Sequence, residues 1–236
     1  MTKKPITKNI DHFFRGAFSV DIVLITFHNQ SLKLLLQKKK DLPIKEEWGL
    51  PGNLIDPNED TNSAIDNLLL SLIGRNDIYK KQLRTFSELN RHPLGRIITF
   101  AYYGLIAFEE VKHINSPDLK WIPIKNPPSL SLDHNHILKE VFKRFQKGLL
   151  RHPNVFHLLP QKFILSDIIS IYEQSFNQKM DLPNFRKLIL KSGLVEPLGE
   201  NNKGDKSFGR PAELFRYVKS EDKRKLKDKI NFRFYA

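Results

Sequence analysis

The residues whose types and spacing could do chemistry fall in three places. The first is WGLPGN (48–53), a turn bearing Trp and Gly, followed closely by the apolar-periodic run TNSAIDNLLLSLIG (61–74). The second is a scattered polar set: Arg91 and Arg96, which can meet phosphates or sugar hydroxyls, and Asp133 and His134 at the head of a helical run. The third is basic and C-terminal. It comprises Asn184, Arg186, Lys187 and Lys191 within LPNFRKLILKSG (182–193), and Lys203, Lys206 and Arg210 within NNKGDKSFGRP (201–211). Cations suit phosphates, and Arg or Asn suits base edges, so this third set points to DNA. An Arg in Gly209-Arg210-Pro211 is slender enough to enter a narrow minor groove. No metal is expected. The chain has no Cys, and His134 and His136, two apart on a helix, face different directions. Asp133 has a simpler use as a helix N-cap, and Lys38, Lys39 and Lys40 read as a solvated strand end.

These residues need elements to position them. FSVDIVLITF (18–27) and SLKLLLQKK (31–39) are apolar, strand-like runs parted by the turn-prone HNQ. RIITFAYYGLIAF (96–108) and LKWIPI (119–124) are two further strands. Between them, apolar residues at 65, 68, 69, 72 and 73 have helical spacing, with Thr61 or Asn62 able to cap the start and Gly74 the end. The run 133–150 places Ile137, Leu138, Val141, Phe142 and Phe145 on one face, with Lys139, Lys143, Arg144 and Lys147 towards water. Residues 151–160 make a linker. A helix over 165–176, capped by Ser166 or Asp167, buries Ile168, Ile169, Tyr172 and Phe176. A second helix over 182–193 buries Phe185, Leu188 and Ile189, and two short strands follow around a polar tip. Helix, turn, helix and hairpin outline a winged helix-turn-helix.

Composition bounds the reading. At 236 residues the chain has room for one large domain or two small ones. Its formal net charge is +13, which favours polyanionic partners. Residues 151–236 carry 17 Lys+Arg against 10 Asp+Glu, so the C-terminal part is the denser in positive charge. No run approaches a membrane span, and the N-terminus lacks the apolar core of a secretory signal. A cytoplasmic protein without a membrane partner is expected.

The stretch 48–74 resembles the signature of a Nudix domain, whose helix carboxylates hold divalent metals against a pyrophosphate. The match is to the skeleton. Gly52 opens it, six residues precede Glu59, and Gly74 closes it. The Arg-Glu pair falls on Asn67 and Leu68, and the Glu-Glu pair on Ser71 and Leu72, leaving Asp66 as the one carboxylate between 61 and 74. A Nudix-like domain followed by a winged helix resembles the Nudix-related transcriptional regulators, the NrtR type and its sugar-responsive relatives. The likeness is carried by Val20-Asp21, WGLPG (48–52), RHPLGRIITFAYYGLI (91–106), LKWIPI, SLDHNHIL (131–138), DLPNFRKLILKSGLVEPLG (181–199) and GRPAELFRY (209–217).

The resemblance implies an α+β chain: a Nudix-like α/β/α sandwich with a mixed sheet (1–150), a linker (151–160) and a winged helix-turn-helix domain (161–236). It implies a homodimeric repressor on a palindromic double-stranded DNA operator. Its small-molecule effector would be a pentose or ADP-ribose-like, held near Arg91, Arg96, Asp133 and His134. Without the helix acids we expect no catalytic residues and no cofactor, and a sugar-type effector is slightly favoured. Two other readings compete: a divergent Nudix hydrolase acting on a nucleoside diphosphate derivative, and a winged helix that binds a protein partner.

Overall fold

The structure, a computed structural model, describes residues 16–39, 47–202 and 211–218. Lys40, Lys203, Lys206 and Arg210 therefore lie outside the described residues.

Alternation in the first strand organises the N-terminal half. In β1 (Ala17–His28), Val20, Ile22 and Leu24 bury on one face, and Val23, Ile25 and Phe27 on the other. Both faces of this strand are covered, as its nearly continuous apolar run requires. β1 turns into β2 (Ser31–Lys39) through Asn29 and Gln30, both with positive φ, the geometry of a tight hairpin. β3 (Glu47–Gly49) and β4 (Gly52–Leu54) hold the WGLPGN turn, β4 pairing antiparallel with β1. β5 (Tyr79–Phe86), β6 (Ile97–Leu105) and β7 (Leu119–Pro123) complete a seven-stranded mixed sheet. Its main path is β3-β2-β1-β6-β5, with β1 and β6 parallel. β5 has no counterpart in the sequence reading, because YKKQLRTF is too polar to show alternation.

Helix α1 (Thr61–Ile73) covers one face of the sheet and α2 (His134–Arg151) the other. The cap of α1 is Asp60, whose carboxylate accepts from the Ser63 N–H at 2.7 Å, and not Thr61 or Asn62. Gly74 ends the helix in the left-handed region at φ 74°, as expected. On α2, Leu149 joins the predicted stripe, Phe142 is half-buried, and Lys139, Lys143, Arg144 and Lys147 are exposed.

The C-terminal unit comprises α3 (Leu165–Phe176), α4 (Leu182–Lys191) and the hairpin β8 (Val195–Asn201) and β9 (Glu213–Tyr217). The cap position of α3 is Ile164, without a side-chain bond; Asp167 instead accepts from Gln30 Nε2 at 2.8 Å. Asp181 caps α4, and Pro183 sits in its first turn. Leu188 is 38% exposed, against the expectation that it would be buried. This short helix meets the core only along Phe185 and Ile189, four residues apart on one face.

The two units share a continuous core. Residues Asn154–Leu158 form a 3-10 turn that buries Val155 and Leu158 between Leu149 of α2 and Phe163, so the stretch read as a linker is packed. Polar bonds lock the same junction. The Gln174 carboxamide on α3 accepts from the Leu32 N–H (3.0 Å) and donates to Gln30 O (2.9 Å), gripping the β1–β2 turn. The buried Tyr172 hydroxyl donates to Leu149 O at 2.9 Å. Tyr172→Phe leaves that carbonyl short of a partner, and a loss of about 1–1.5 kcal/mol is expected in urea unfolding. An unchanged midpoint would show that the bond does not help hold the units together.

Candidate functional site

A pocket of about 240 Å³ opens where β1, the β4 turn and the loop before β6 meet the start of α2. Two glycines of WGLPGN make room for it. A Cβ on Gly52 would lie 1.9 Å from Asp21 Oδ1, and one on Gly49 would lie 2.8 Å from His134 Nδ1. The motif thus lets Asp21 and His134 approach the backbone of the turn.

Arg91 is the central tie. Its guanidinium is almost wholly buried and forks onto Asp133, with Nε to Oδ2 at 2.9 Å and Nη2 to Oδ1 at 2.7 Å. Nη1 donates to the Thr99 hydroxyl at 2.5 Å, and Thr99 in turn bonds Ser19 at 2.6 Å. Asp21 Oδ2 stands 4.0 Å from Nη2 and 3.9 Å from His134 Nε2. The Asp133 side chain makes no cap bond; the capping role expected for it gives way to the clamp on Arg91.

Burial dominates the electrostatics. Desolvation raises the Asp21 carboxyl above its usual range, although Lys39 and Arg91 pull it down. Desolvation also holds His134 down at about 3, with Lys39 adding to the effect. Its tautomer follows from the hydrogen bond: the Leu50 N–H donates to Nδ1 at 2.8 Å, so the ring proton sits on Nε2, towards Asp21.

Arg91, Asp133 and His134 therefore come together, and Arg96 does not join them. Its guanidinium donates to Ser87 O and Glu88 O and holds the β5–β6 loop. The sequence reading missed Asp21, Ser19, Thr99 and Lys39 as lining residues. Lys39 is the last residue of β2, where a strand end looks like surface. The available signal was Asp21 itself, a lone acid inside the apolar run FSVDIVLITF.

The four positions that the sequence resemblance assigns to the Nudix helix acids are engaged elsewhere. Leu68 and Leu72 lie in the apolar core beneath α1, and Ser71 is spent on Leu68 O. Asn67 donates to the remaining acid, Glu59, at 2.6 Å. Asp66 forms an ion pair with Lys80 at 2.7 Å. Two leucines, a serine and an amide leave a divalent cation without the oxygen set it needs.

In the C-terminal unit Arg186, Lys187 and Lys191 are exposed on α4, and Asn184 is half-buried in its first turn. Arg186 pairs with Glu213 of β9 at 2.7 Å and lies 5.7 Å from the centre of the Phe215 ring. This links the second helix to the hairpin.

Comparison with known proteins agrees with this architecture. The NrtR DNA-binding winged helix domain family matches residues 155–217. The ADPR responsive transcriptional repressor NtrR of Acinetobacter baylyi is 27% identical over 208 residues, covering 85% of this chain and 81% of that protein. The crystal structure of Shewanella oneidensis NrtR complexed with a 27mer DNA superposes with a TM-score of 0.73 at 25% identity, over 85% of this chain and 93% of that one. An ADP-ribose pyrophosphatase of Methanocaldococcus jannaschii is 25% identical over 147 residues, covering 62% of this chain and 84% of that protein. The chain joins a Nudix-like domain to an NrtR-type winged helix, the arrangement of the Nudix-related transcriptional regulators.

Proposed function

We propose that this chain is a DNA-binding transcriptional repressor whose Nudix-like domain has become an effector sensor. The observation that carries the reading is the pairing of an NrtR-type winged helix with a Nudix helix that has turned Leu68 and Leu72 into core. The similarity to an ADP-ribose-responsive repressor supports it. Similarity to a pyrophosphatase keeps hydrolysis as the second reading; the loss of the helix acids argues against it.

The effector pocket suits a polyol bearing phosphate better than a bare pentose. Arg91 is committed to Asp133 and Thr99, so its part is to position the acids. A ligand would meet the Asp21 carboxylate, which accepts from ribose hydroxyls, and Lys39, which attracts a diphosphate. That shifts the expectation from a sugar towards an ADP-ribose-like molecule. On the DNA side, Asn184 and Arg186 would address bases, and Lys187 and Lys191 phosphates. Lys203, Lys206 and Arg210 of the wing keep the role that the sequence suggests for them. The functional unit is a homodimer on a palindromic operator, built from residues 1–150, 151–160 and 161–236 as sensor, junction and reader.

The test is binding to DNA upstream of the chain's own and neighbouring genes, titrated with salt and then challenged with ADP-ribose, L-arabinose and D-xylose. Sequence-specific binding should weaken by roughly 0.9 log units per log unit of salt for each phosphate neutralised. ADP-ribose, rather than either pentose, should release the DNA. Arg186→Ala should cost about 1–3 kcal/mol on the operator if the side chain reads a base. Absence of specific binding at every salt concentration would remove the regulator reading. Turnover of ADP-ribose with Mg²⁺ or Mn²⁺ that Glu59→Gln abolishes would restore the enzyme.

A further inference from the structure

A second, smaller pocket of about 100 Å³ lies on the α2 face of the sheet, where α2 ends and the packed junction to the winged unit begins. From the geometry we infer that it is an anion site for a phosphate group, separate from the Asp21–His134 pocket.

The rim is cationic. Arg144, Lys147 and Arg151 stand at i, i+3 and i+7 on α2, one face of a helix. Lys81 faces them from the edge strand β5. All four are exposed, and among the described residues none of them has a carboxylate partner. Among the described residues, no Asp or Glu lines the pocket. Four like charges at one small depression repel one another, and a bound dianion relieves that repulsion.

The floor is built from buried polar groups. Tyr103 is 2% exposed and Asn154 is 5% exposed, and both line the cavity. Asn154 Nδ2 donates to the Tyr79 hydroxyl at 3.0 Å, and that hydroxyl lies 3.4 Å from the Tyr103 hydroxyl. Burial and the neighbouring phenol push the Tyr103 hydroxyl up, so it stays a neutral donor, although Arg144 draws it down. Gly148 lets the floor form: a Cβ there would lie 2.8 Å from Asn154 Nδ2. A glycine inside a helix costs roughly 1 kcal/mol against alanine, and here it buys the close approach of Asn154.

A phosphate in this place would bridge the end of α2 to Asn154 in the junction, and so would stiffen the connection between the two units. The group could belong to free phosphate or a small phosphorylated metabolite, or to the backbone of bound DNA. The chemistry is the same, and the experiment separates the sources.

Inorganic phosphate is titrated calorimetrically into the full chain at constant ionic strength. The wild type is compared with Arg144→Gln/Arg151→Gln, and with Lys139→Gln/Lys143→Gln, which removes equal charge from the same helix outside the pocket. Circular dichroism checks that each variant is folded, and Lys147→Gln, a single exposed change, stands in should the first fail. Saturable binding that the pocket variant weakens about tenfold or more, and the control leaves within about twofold, is the expected result. This arm does not depend on the regulator reading. The second arm measures the salt dependence of operator binding. A slope that falls by about 0.9 per lost contact in the pocket variant alone assigns the site to DNA phosphate. Phosphate binding with an unchanged slope assigns it to a free anion. The inference is overturned if neither quantity changes, or if both double variants behave alike.

Discussion

Arg91→Met should destabilise the folded chain by about 3–5 kcal/mol, because it leaves the Asp133 carboxylate in a largely dry site without the guanidinium that forks onto it. The Asp133 side chain is 20% exposed and that of Asp21 9%, so water can solvate neither fully. The same change strips the Thr99 hydroxyl of its donor. Arg91→Lys should recover only part of the loss, since an ammonium cannot fork onto both oxygens of Asp133 and reach Thr99 as well. The deficit carries a pH signature. Burial already raises the Asp21 carboxyl and Arg91 is one of the cations that pull it down, so without Arg91 it holds its proton in the folded state more tightly still. Stability of the variant relative to wild type should therefore recover as the pH is lowered from 7 towards 5. Urea unfolding at three pH values measures both quantities. A loss below about 1 kcal/mol at pH 7 would place the clamp among exposed ion pairs, which contribute that little. The release of DNA by ADP-ribose proposed above should fail in Arg91→Lys even where the fold survives, because Asp133 loses the fork that fixes its position.

Much of this site was legible before the structure, for specific reasons. Helix α1 announced itself through apolar spacing and Gly74, and its Leu68 and Leu72 lie where the period puts them, in the core. The winged unit was readable because Pro183, Gly193 and the helical stripes act locally. The pocket was only half readable. Arg91, Asp133 and His134 stood out by type, yet Arg91 and Asp133 are 42 residues apart, and nothing local says that they form a pair. That pairing also explains why the capping rule failed at Asp133: a buried guanidinium outcompetes backbone N–H groups for a carboxylate. Arg96 has the same type as Arg91 and a neighbouring position, but it faces the β5–β6 loop. Lys39 hid because a strand end next to further lysines looks like surface. The two prolines of 151–160 read as a linker, and within it Val155 and Leu158 are buried in the seam between the units. Helix α2 spans from the pocket to that seam: it starts at His134 and its last turns meet Tyr172 of α3.

His134 should make the fold acid-sensitive well above the range of ordinary carboxylates. Its folded value is held down at about 3, against 6.5 for an exposed imidazole. A histidine with a depressed folded value contributes stability that is fully present above the unfolded value and is lost as pH falls through the window between the two. From pH 6.5 downwards the chain should thus lose roughly 1.4 kcal/mol per pH unit through this residue. Two structural facts give the shift its cause. The ring is buried, and Nδ1 already accepts the Leu50 N–H, so a second proton would set one N–H against another. The facing groups must be counted with it. Asp21, raised by burial, takes up its proton in the folded state before the unfolded chain does, which opposes the loss. The Lys39 and Arg91 charges disfavour the imidazolium, while that of Asp133 favours it. The net expectation is a fall in stability that sets in as the pH drops below 6.5, made shallower by Asp21. His134→Gln keeps an acceptor for Leu50 without a group that titrates. It should be less stable than wild type at pH 7.5 and should flatten the upper limb of the profile. Parallel profiles for the two proteins between pH 7.5 and 5 would mean that His134 titrates alike in the folded and unfolded chain. The pocket would then be wetter than its packing indicates.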